Sequence, residues 1–262
     1  MNEDYLLKLM ENGIRADKRQ LMDYRNVVVQ HNPFQKPEGS ALVKIGETMV
    51  LVGIKMGVGE PFPDSPDEGV LMVSAEFSPV ASSEFETGPP RENAIELARV
   101  VDRGIRESGA VDFSKLCITP KEKVWMVYVD IHILNHAGNL IDASSIGAAA
   151  AISSALIPGY DGEKVDYEKR EKKLPAKFRP IAVSFAKVGG KIIIDPSIDE
   201  EGIMDGGITI TTRDDGNICS IQKRGDVGFL REEVDNLIKV AQEKGRELRK
   251  AAEKSEKLLK VA

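Results

Sequence analysis

Three arginines are spaced so that they share one face of a predicted helix. Arg99, Arg103 and Arg106 stand at positions i, i+4 and i+7 of the segment RENAIELARVVDRGIRES. A guanidinium offers two parallel donors to two oxygens, so a row of such groups suits the phosphates of a nucleic acid. The competing interpretation is a solvated face whose arginines pair with acidic neighbours, namely Glu96, Asp102 and Glu107. Spacing alone favours this second interpretation, because surface ion pairs of this kind are common.

Acidic residues cluster after a predicted strand in the segment IIIDPSIDEEGIMDGG. They are Asp195, Asp199, Glu200, Glu201 and Asp205. Carboxylates in such a group could bind a hard cation or donate a proton. The same composition is also typical of a charged turn, since Asp, Pro, Ser and Gly all favour turns. Composition by itself favours the turn.

The segment NLIDASSIGAAAAISS, residues 139–154, places polar side chains where a helix is predicted to start. It contains Asp142, Ser144 and Ser145 but no arginine, lysine or histidine, and no arginine occurs between residues 107 and 169. A helix start can bind an anion through its free N–H groups. We expect Asp142 or Ser144 to cap those groups instead. The alanines that follow suit close helix packing.

No other combination of residues indicates a metal site or a nucleophile. His132 is predicted within a strand and His136 in the following turn, so they do not share a helix face as paired zinc-binding histidines do. Cys117 and Cys219 are too few for a disulfide framework, and we expect them to be reduced and inert. No serine or cysteine stands in a recognisable pairing with a base. The sequence therefore predicts no metal and no cofactor.

Periodic hydrophobicity predicts the elements that must position these residues. A helix at residues 91–108 has an apolar stripe on the face opposite the arginines, formed by Ile95, Ala98, Val101 and Ile105. Two hairpins turn at Gly189-Gly190 and at Asp215-Gly216. The other predictions are a helix before Gly13, strands at 26–30, 42–45, 50–54, 70–77 and 123–134, a helix at 143–156 and a long terminal helix at 230–262. This order predicts an α+β fold.

Residues 158–177 separate two groups of predicted elements. The segment PGYDGEKVDYEKREKKLPAK lacks apolar periodicity and mixes both charges, which is typical of a solvated linker. We therefore expect an N-terminal half at residues 1–157, a charged linker at 158–177 and a C-terminal half at 178–262.

Net charge limits how this chain could bind a polyanion. The 262 residues include 36 Lys plus Arg and 42 Asp plus Glu, for a net charge of -6. A protein that gripped nucleic acid along its whole surface would need the opposite sign, so any such contact must be local or shared with a partner. The first residues lack the apolar core of a signal peptide, and no window of roughly 20 apolar residues exists. A cytoplasmic location without membrane contact is expected.

Five segments in order resemble the ribonuclease PH-like family. They are GIRADKR with Arg25 beyond it, GSALVKIGETMVLVGIK, GPPRENAIELARVVDRGIRES, NLIDASSIGAAAA and DPSIDEEGIMDGGITIT, within residues 13–245. The resemblance implies two βαβα halves with a ribosomal-protein-like topology and a long C-terminal helix. It also implies assembly into six-membered rings. Members are phosphorolytic exoribonucleases or their inactive relatives.

Two departures from the catalytic members of that family concern the reaction itself. Catalytic members hold phosphate with a Gly-Gly-Thr-Arg or Ser-Arg turn, where this chain has Asp142-Ala143-Ser144-Ser145. Asp195 matches the family's first Asp, but Glu201 stands at the general-acid position and its spacing to Asp205 is shorter. A phosphate nucleophile carries close to two negative charges, and a site without cations has little to offset its repulsion from RNA. The resemblance therefore implies a degenerate phosphate loop, a degenerate acidic site and no catalytic residue.

Within the family, the segments DASSIGAAAA and DPSIDEEGIMDG look like the non-catalytic subunits of archaeal exosome rings. That resemblance implies a ring of three heterodimers with a catalytic sister subunit, together with RNA-binding cap proteins and single-stranded RNA as ligand. Arg99 and Arg103 match family positions that contact RNA phosphates, with Arg106 on the same face. Two alternatives stay open. One is an autonomous exoribonuclease that uses phosphate or a divalent ion held by Asp195, Glu201 and Asp205, and the other is a scaffold without RNA contact.

Overall fold

The structure, a computed structural model, describes residues 3–254. The helices are α1 (Glu3–Glu11), α2 (Glu92–Ser108), α3 (Leu140–Ser154), α4 (Ile198–Gly202) and α5 (Arg231–Glu253). The strands are β1 (Val27–His31), β2 (Gly39–Ile45), β3 (Thr48–Gly59), β4 (Val70–Phe77), β5 (Cys117–Thr119), β6 (Lys123–Asn135), β7 (Leu156–Tyr160), β8 (Val165–Lys173), β9 (Ile181–Val188), β10 (Lys191–Ile194), β11 (Gly206–Thr212) and β12 (Ile218–Gly225). The order strands, helix, strands, helix occurs twice, which confirms the α+β class.

A six-stranded sheet carries the first group of elements. Its order is β1-β2-β3-β6-β4, with β5 beside β6, and only β4 and β6 run parallel. Their connection passes through α2, as a parallel pair requires a crossover. Alternate residues of β3, including Val50, Val52 and Ile54, are buried. This two-residue period places them on one face of the sheet, against the helices.

Helix α3 packs between this sheet and a second one. It contacts β2 and β3 on one side and β9 on the other. All residues from Leu140 to Ile152 are buried, which suits a helix that is small and apolar on every side. A Cβ at Gly147 would lie 2.7 Å from Val52 Cγ2, so close packing of helix and strand requires glycine there. The second sheet, in the order β10-β9-β11-β12, is antiparallel throughout and packs against α5.

Most predicted elements are confirmed, with corrections at two helices. Helix α3 begins at Leu140 rather than near residue 143, because Asn139 takes a left-handed backbone conformation (φ 56°) and the helix starts directly after it. On α2, Ile95 was predicted in the buried stripe but is 49% exposed. Ala94 and Leu97 are buried with Ala98, so the stripe is rotated by one position from the predicted one. The predicted terminal helix extends to residue 262, and its last eight positions, 255–262, lie outside the described residues.

The predicted charged linker contains an ordered hairpin. Strands β7 and β8 pair antiparallel across residues 156–173. The Arg170 guanidinium donates to the carbonyl oxygens of Gln35, Lys36 and Pro37, and it pairs with the buried Glu38 at 3.1 Å. The segment therefore combines exposed charged side chains, including Glu163, Glu168 and Lys169, with paired strands that the sequence analysis did not predict. The division into two halves stays a prediction. No helix within residues 3–254 is long and apolar enough to cross a membrane.

Candidate functional site

Asp195 is a buried carboxylate that joins three parts of the chain. It follows β10, and its oxygens accept hydrogen bonds from Arg19 Nη1 (2.8 Å), Arg25 Nη2 (2.7 Å) and Asn139 Nδ2 (2.8 Å). Arg25 also donates its backbone N–H and its Nε to the same carboxylate, at 2.8 and 2.9 Å. Burial would raise the pKa of Asp195, but the bonds and charge of Arg25, together with Asn139, hold it below its usual value. The Asp195 carboxylate is therefore ionised, and both of its oxygens accept hydrogen bonds.

The two arginines at Asp195 are already bound to several acceptors within the chain. Arg25 donates to the carbonyl oxygens of Ala137 (2.7 Å) and Gly138 (3.2 Å) in addition to Asp195. Arg19 binds Asp17 at 2.6 Å and the carbonyl of Asp23 at 2.9 Å. Both guanidinium side chains are only 12% exposed. Through these bonds the two arginines connect the segment before β1 to Asp195 and to the residues just before α3.

Asp142 lies in the first turn of α3, yet it does not cap the helix. The helix start has no side-chain cap, so the prediction of capping by Asp142 or Ser144 is wrong. The Asp142 carboxylate turns towards β9 and accepts hydrogen bonds from Tyr24 Oη (2.6 Å), Asn139 Nδ2 (2.9 Å) and Ser184 N and Oγ (3.0 and 2.7 Å). Burial outweighs these donors and raises the pKa of Asp142 to about 6. At neutral pH the predicted degenerate phosphate loop thus carries a negative charge.

The two serines of the degenerate phosphate loop are also turned inward. Ser145 Oγ accepts from Ala182 N at 2.9 Å and lies 3.4 Å from the Pro180 carbonyl, which connects α3 to β9. Ser144 Oγ is buried and has no hydrogen-bond partner among residues 3–254. Neither hydroxyl is placed on the protein surface. The loop therefore serves packing between α3 and the second sheet.

The acidic residues of the second candidate site are distributed among different partners. Glu200 forms a capping box with Ser197 at the start of α4 and pairs with the buried Arg15 at 2.5 Å. Glu201 accepts from the Asn139 backbone N–H at 3.1 Å and pairs with Arg224 at 3.3 Å. Asp205 is exposed just before β11. In the described part of the chain, no group of three or more His, Cys, Asp or Glu could hold a metal ion.

A small cavity of about 190 Å³ lies where Glu201 and Arg224 meet the helices. His136 stacks on Phe85 in its wall, with ring centroids 5.4 Å apart. Burial lowers the pKa of His136, so the ring is neutral at pH 7. His132 instead pairs with Glu76 at 3.1 Å on the outer face of the sheet. The two histidines therefore have separate surroundings.

The three candidate arginines of α2 have different partners. Arg106 donates to Asp102 at 2.8 Å and to the Leu71 carbonyl at 2.7 Å. Arg103 donates to the side-chain oxygen of Gln222 on β12 at 3.1 Å. The Arg99 side chain is exposed and forms no hydrogen bond or ion pair with any other described residue. Arg99 and Arg103 line a groove of about 510 Å³ between α2 and β12, together with Glu92, Glu96 and Asp102. Neither arginine is ion-paired to these carboxylates, so both guanidinium groups can bind an anionic ligand.

Comparison with known proteins decides the family. Residues 23–158 match domain 1 of the 3' exoribonuclease family, and residues 179–244 match domain 2. The chain belongs to the 3' exoribonuclease family. This confirms the resemblance to ribonuclease PH-like proteins.

Relatives of this 3' exoribonuclease family member match over nearly its whole length. It is 51% identical to the exosome complex component Rrp42 of Thermococcus onnurineus, over 98% of this chain and 94% of that protein. Its structure matches a chain of the Archaeoglobus fulgidus exosome with RNA bound to the active site, with a TM-score of 0.88 and 46% identity over 95% and 96% of the two chains. A chain of an archaeal exosome core matches with a TM-score of 0.85 and 43% identity over 96% of both chains.

Several residues of the site have roles that the sequence analysis did not assign. Asn139 bonds to Asp142, Asp195 and Glu201, and Tyr24 bonds to Asp142. No local pattern marks these residues, because all their partners except the Asp142 bound by Asn139 are distant in sequence. The positions of Gln222 and Arg224, by contrast, follow a pattern that can be recognised in the sequence. Together with Ser220 they place a polar residue at every second position of β12, which is typical of one face of a strand.

Proposed function

We propose that this chain is the non-catalytic ribonuclease PH-like subunit of an archaeal exosome ring. In this proposal it alternates with a catalytic sister subunit in three heterodimers, shapes the sister's active site from across the interface and guides 3' RNA ends into it. The ring then degrades RNA by phosphorolysis in the 3'-to-5' direction.

One observation carries the assignment of a non-catalytic role. Three arginines are linked to the start of α3 through Asp195 or Glu201, and each already has an anionic partner: Arg19 and Arg25 bind Asp195, and Arg224 binds Glu201. Asp142 adds a buried carboxylate that is ionised at neutral pH. An attacking phosphate must approach an anionic RNA backbone, and oriented cations are what offsets that repulsion. This chain therefore lacks the means to activate phosphate.

The α2 face supports a role in RNA guidance. Arg99 and Arg103 stand one turn apart beside an open groove, and neither is ion-paired within residues 3–254. Guanidinium groups at that spacing can each bind a phosphate of one strand. Arg106 contributes less in this proposal, because Asp102 and the Leu71 carbonyl occupy it. The net charge of -6 fits a ring in which only this small patch faces RNA.

Finer features of the assembly belong to the same proposal. RNA-binding cap proteins sit on the ring, and the complex works in the cytoplasm. The halves at residues 1–157 and 178–262 fold as two related units, with residues 158–177 between them. Support for the two halves comes from the two matched family domains and from the repeated order of strands and helices.

The central test compares the purified chain with the reconstituted ring. RNA is incubated with inorganic phosphate, and release of nucleoside diphosphates is measured for the chain alone, the sister alone and both together. We expect no release from this chain alone and full activity only from the mixture. Phosphate-dependent turnover by the isolated chain would support the autonomous exoribonuclease instead, as would turnover that requires a divalent ion.

A second test removes charge from the α2 face. The double variant Arg99→Ala/Arg103→Ala should weaken RNA binding by the assembled ring. The slope of log Kd against log salt concentration should fall by roughly 0.7 for each phosphate of single-stranded RNA that the variant no longer binds. Arg231→Ala removes a 94% exposed arginine at the start of α5 and is the matched control. Unchanged affinity and salt dependence in the double variant would favour a scaffold without RNA contact.

A further inference from the structure

Gln222 holds one of the two available arginines without neutralising it. Its side-chain oxygen accepts a hydrogen bond from Arg103 Nη1 across the groove between α2 and β12. No described acidic residue forms an ion pair with Arg103, so this neutral amide is its partner within residues 3–254. Gln222 is half-buried on β12, and its backbone lies opposite Thr209 of β11. The pairing of β12 with β11 therefore fixes the backbone that carries the Gln222 amide.

The choice of an amide at this position has a physical consequence. An amide oxygen accepts hydrogen bonds but carries no net charge, whereas a carboxylate would form an ion pair with the guanidinium. Arginine has five N–H donors. The bond to Gln222 uses one donor, which leaves four for a ligand, and it does not neutralise the guanidinium, although Glu92 and Glu96 also line the groove.

One carboxylate on the same helix is bound by another residue and not by Arg103. Asp102 adjoins Arg103 in sequence, but its oxygens accept from Arg106 Nε at 3.1 and 2.8 Å. The bond from Arg106 to the Leu71 carbonyl fixes that pair against β4. Arg106 therefore holds one of the three carboxylates that line the groove, while Gln222 orients Arg103.

We propose that Gln222 is a positioning residue that aims the Arg103 guanidinium at an RNA phosphate while leaving its charge intact. The inference rests on the proposed RNA-guiding role of the α2 face. It adds a specific requirement, namely an uncharged hydrogen-bond acceptor at this position of β12.

The test uses the ring reconstituted with its catalytic sister and a single-stranded RNA of defined length. Gln222→Met removes the acceptor at similar volume, and Gln222→Glu replaces it with a charged one. Gln35→Glu adds the same charge at an exposed site in the β1–β2 connection, at the opposite edge of the six-stranded sheet from β4, and is the control. RNA Kd is measured across salt concentrations, and KM and kcat are measured for phosphorolysis.

The two variants should differ in a defined way. Gln222→Met should raise KM for RNA by about threefold with an unchanged salt slope, because the charge remains but its orientation is lost. Gln222→Glu should raise KM by about tenfold and lower the salt slope by about 0.7, because Arg103 then pairs with the new carboxylate and no longer binds a phosphate. Neither should change kcat, and Gln35→Glu should match the unmodified ring. Equal effects of both variants on KM and salt slope would overturn the proposal.

A double-variant cycle separates positioning from simple repulsion. If Gln222 acts through Arg103, then Gln222→Glu should have little further effect in an Arg103→Ala background. An equal loss in both backgrounds would overturn the inference, because a carboxylate that merely repels RNA does so with or without Arg103. If Arg103→Ala weakens binding while both Gln222 variants bind normally, only this inference fails. If Arg103→Ala and Arg99→Ala/Arg103→Ala also bind normally, the RNA-guiding role fails.

Discussion

Replacing Asp195 by Asn should destabilise the protein strongly, although it changes a single atom. Five hydrogen bonds converge on this carboxylate from Arg19, Arg25 and Asn139. They join the segment before β1, the start of α3 and the end of β10. Asn is the informative replacement because Asp195 has a left-handed backbone (φ 46°), which Asn tolerates and Ala does not.

The magnitude follows from the burial of the charges. Removing one partner of a buried ion pair typically costs about 3–5 kcal/mol, because the other charge is left without compensation. Arg19 and Arg25 are 12% exposed, so water can reach them in part. Asn also keeps one acceptor oxygen. We therefore expect Asp195→Asn to lower the free energy of unfolding by about 2–3 kcal/mol, a large share of the roughly 5–15 kcal/mol typical of a folded protein.

Urea unfolding followed by circular dichroism measures this loss. Asp226→Asn, at an exposed position, is the matched control and should change the free energy of unfolding by less than about 0.5 kcal/mol. The folded pKa of Asp195 lies below 3.8. Its stabilisation is therefore present above pH 3.8 and is lost as pH falls through the folded pKa. The difference between the two proteins should narrow in that acidic window, and a small or pH-independent difference would refute the reasoning.

Two further predictions concern α3 and its packing. The folded pKa of Asp142 is raised to about 6 from 3.8, so its contribution to stability is full below 3.8 and is lost as pH rises through 6. Between pH 4 and pH 7 the free energy of unfolding of Asp142→Asn, measured in urea, should therefore rise by up to about 3 kcal/mol relative to that of the unmodified protein. A difference between the two proteins that does not change with pH would contradict this. Gly39→Ala should destabilise by about 1–3 kcal/mol, because its Cβ would lie 2.9 Å from the Cα and Cβ of Ala155. Gly228→Ala, which has open space, is the control and should be nearly neutral in thermal unfolding.

The sequence by itself determined the elements and the family. Helix α2, the strands and the turn at Gly189-Gly190 were predictable because hydrophobic period and turn residues reflect neighbours within a few positions. The five segments that resemble ribonuclease PH-like proteins, in the order of that family, could likewise be recognised from the sequence. The absence of arginine between residues 107 and 169 is likewise a feature of the sequence, and the degenerate phosphate loop inferred from it stays a prediction. Local patterns were sufficient for these conclusions.

Only the tertiary structure decided which partner each charged or polar side chain takes. Arg25 and Asp195 are 170 positions apart, and Asp142 meets Tyr24 across 118 positions. The rotation of the α2 stripe and the hairpin at β7–β8 likewise depended on contacts with other elements. Arg99, Arg103 and Arg106 look equivalent in sequence, yet their surroundings differ. Arg106 binds Asp102 and the Leu71 carbonyl, Arg103 binds Gln222, and the Arg99 side chain has no partner among the described residues. Such pairings are set by packing between distant segments, and no local periodicity encodes them.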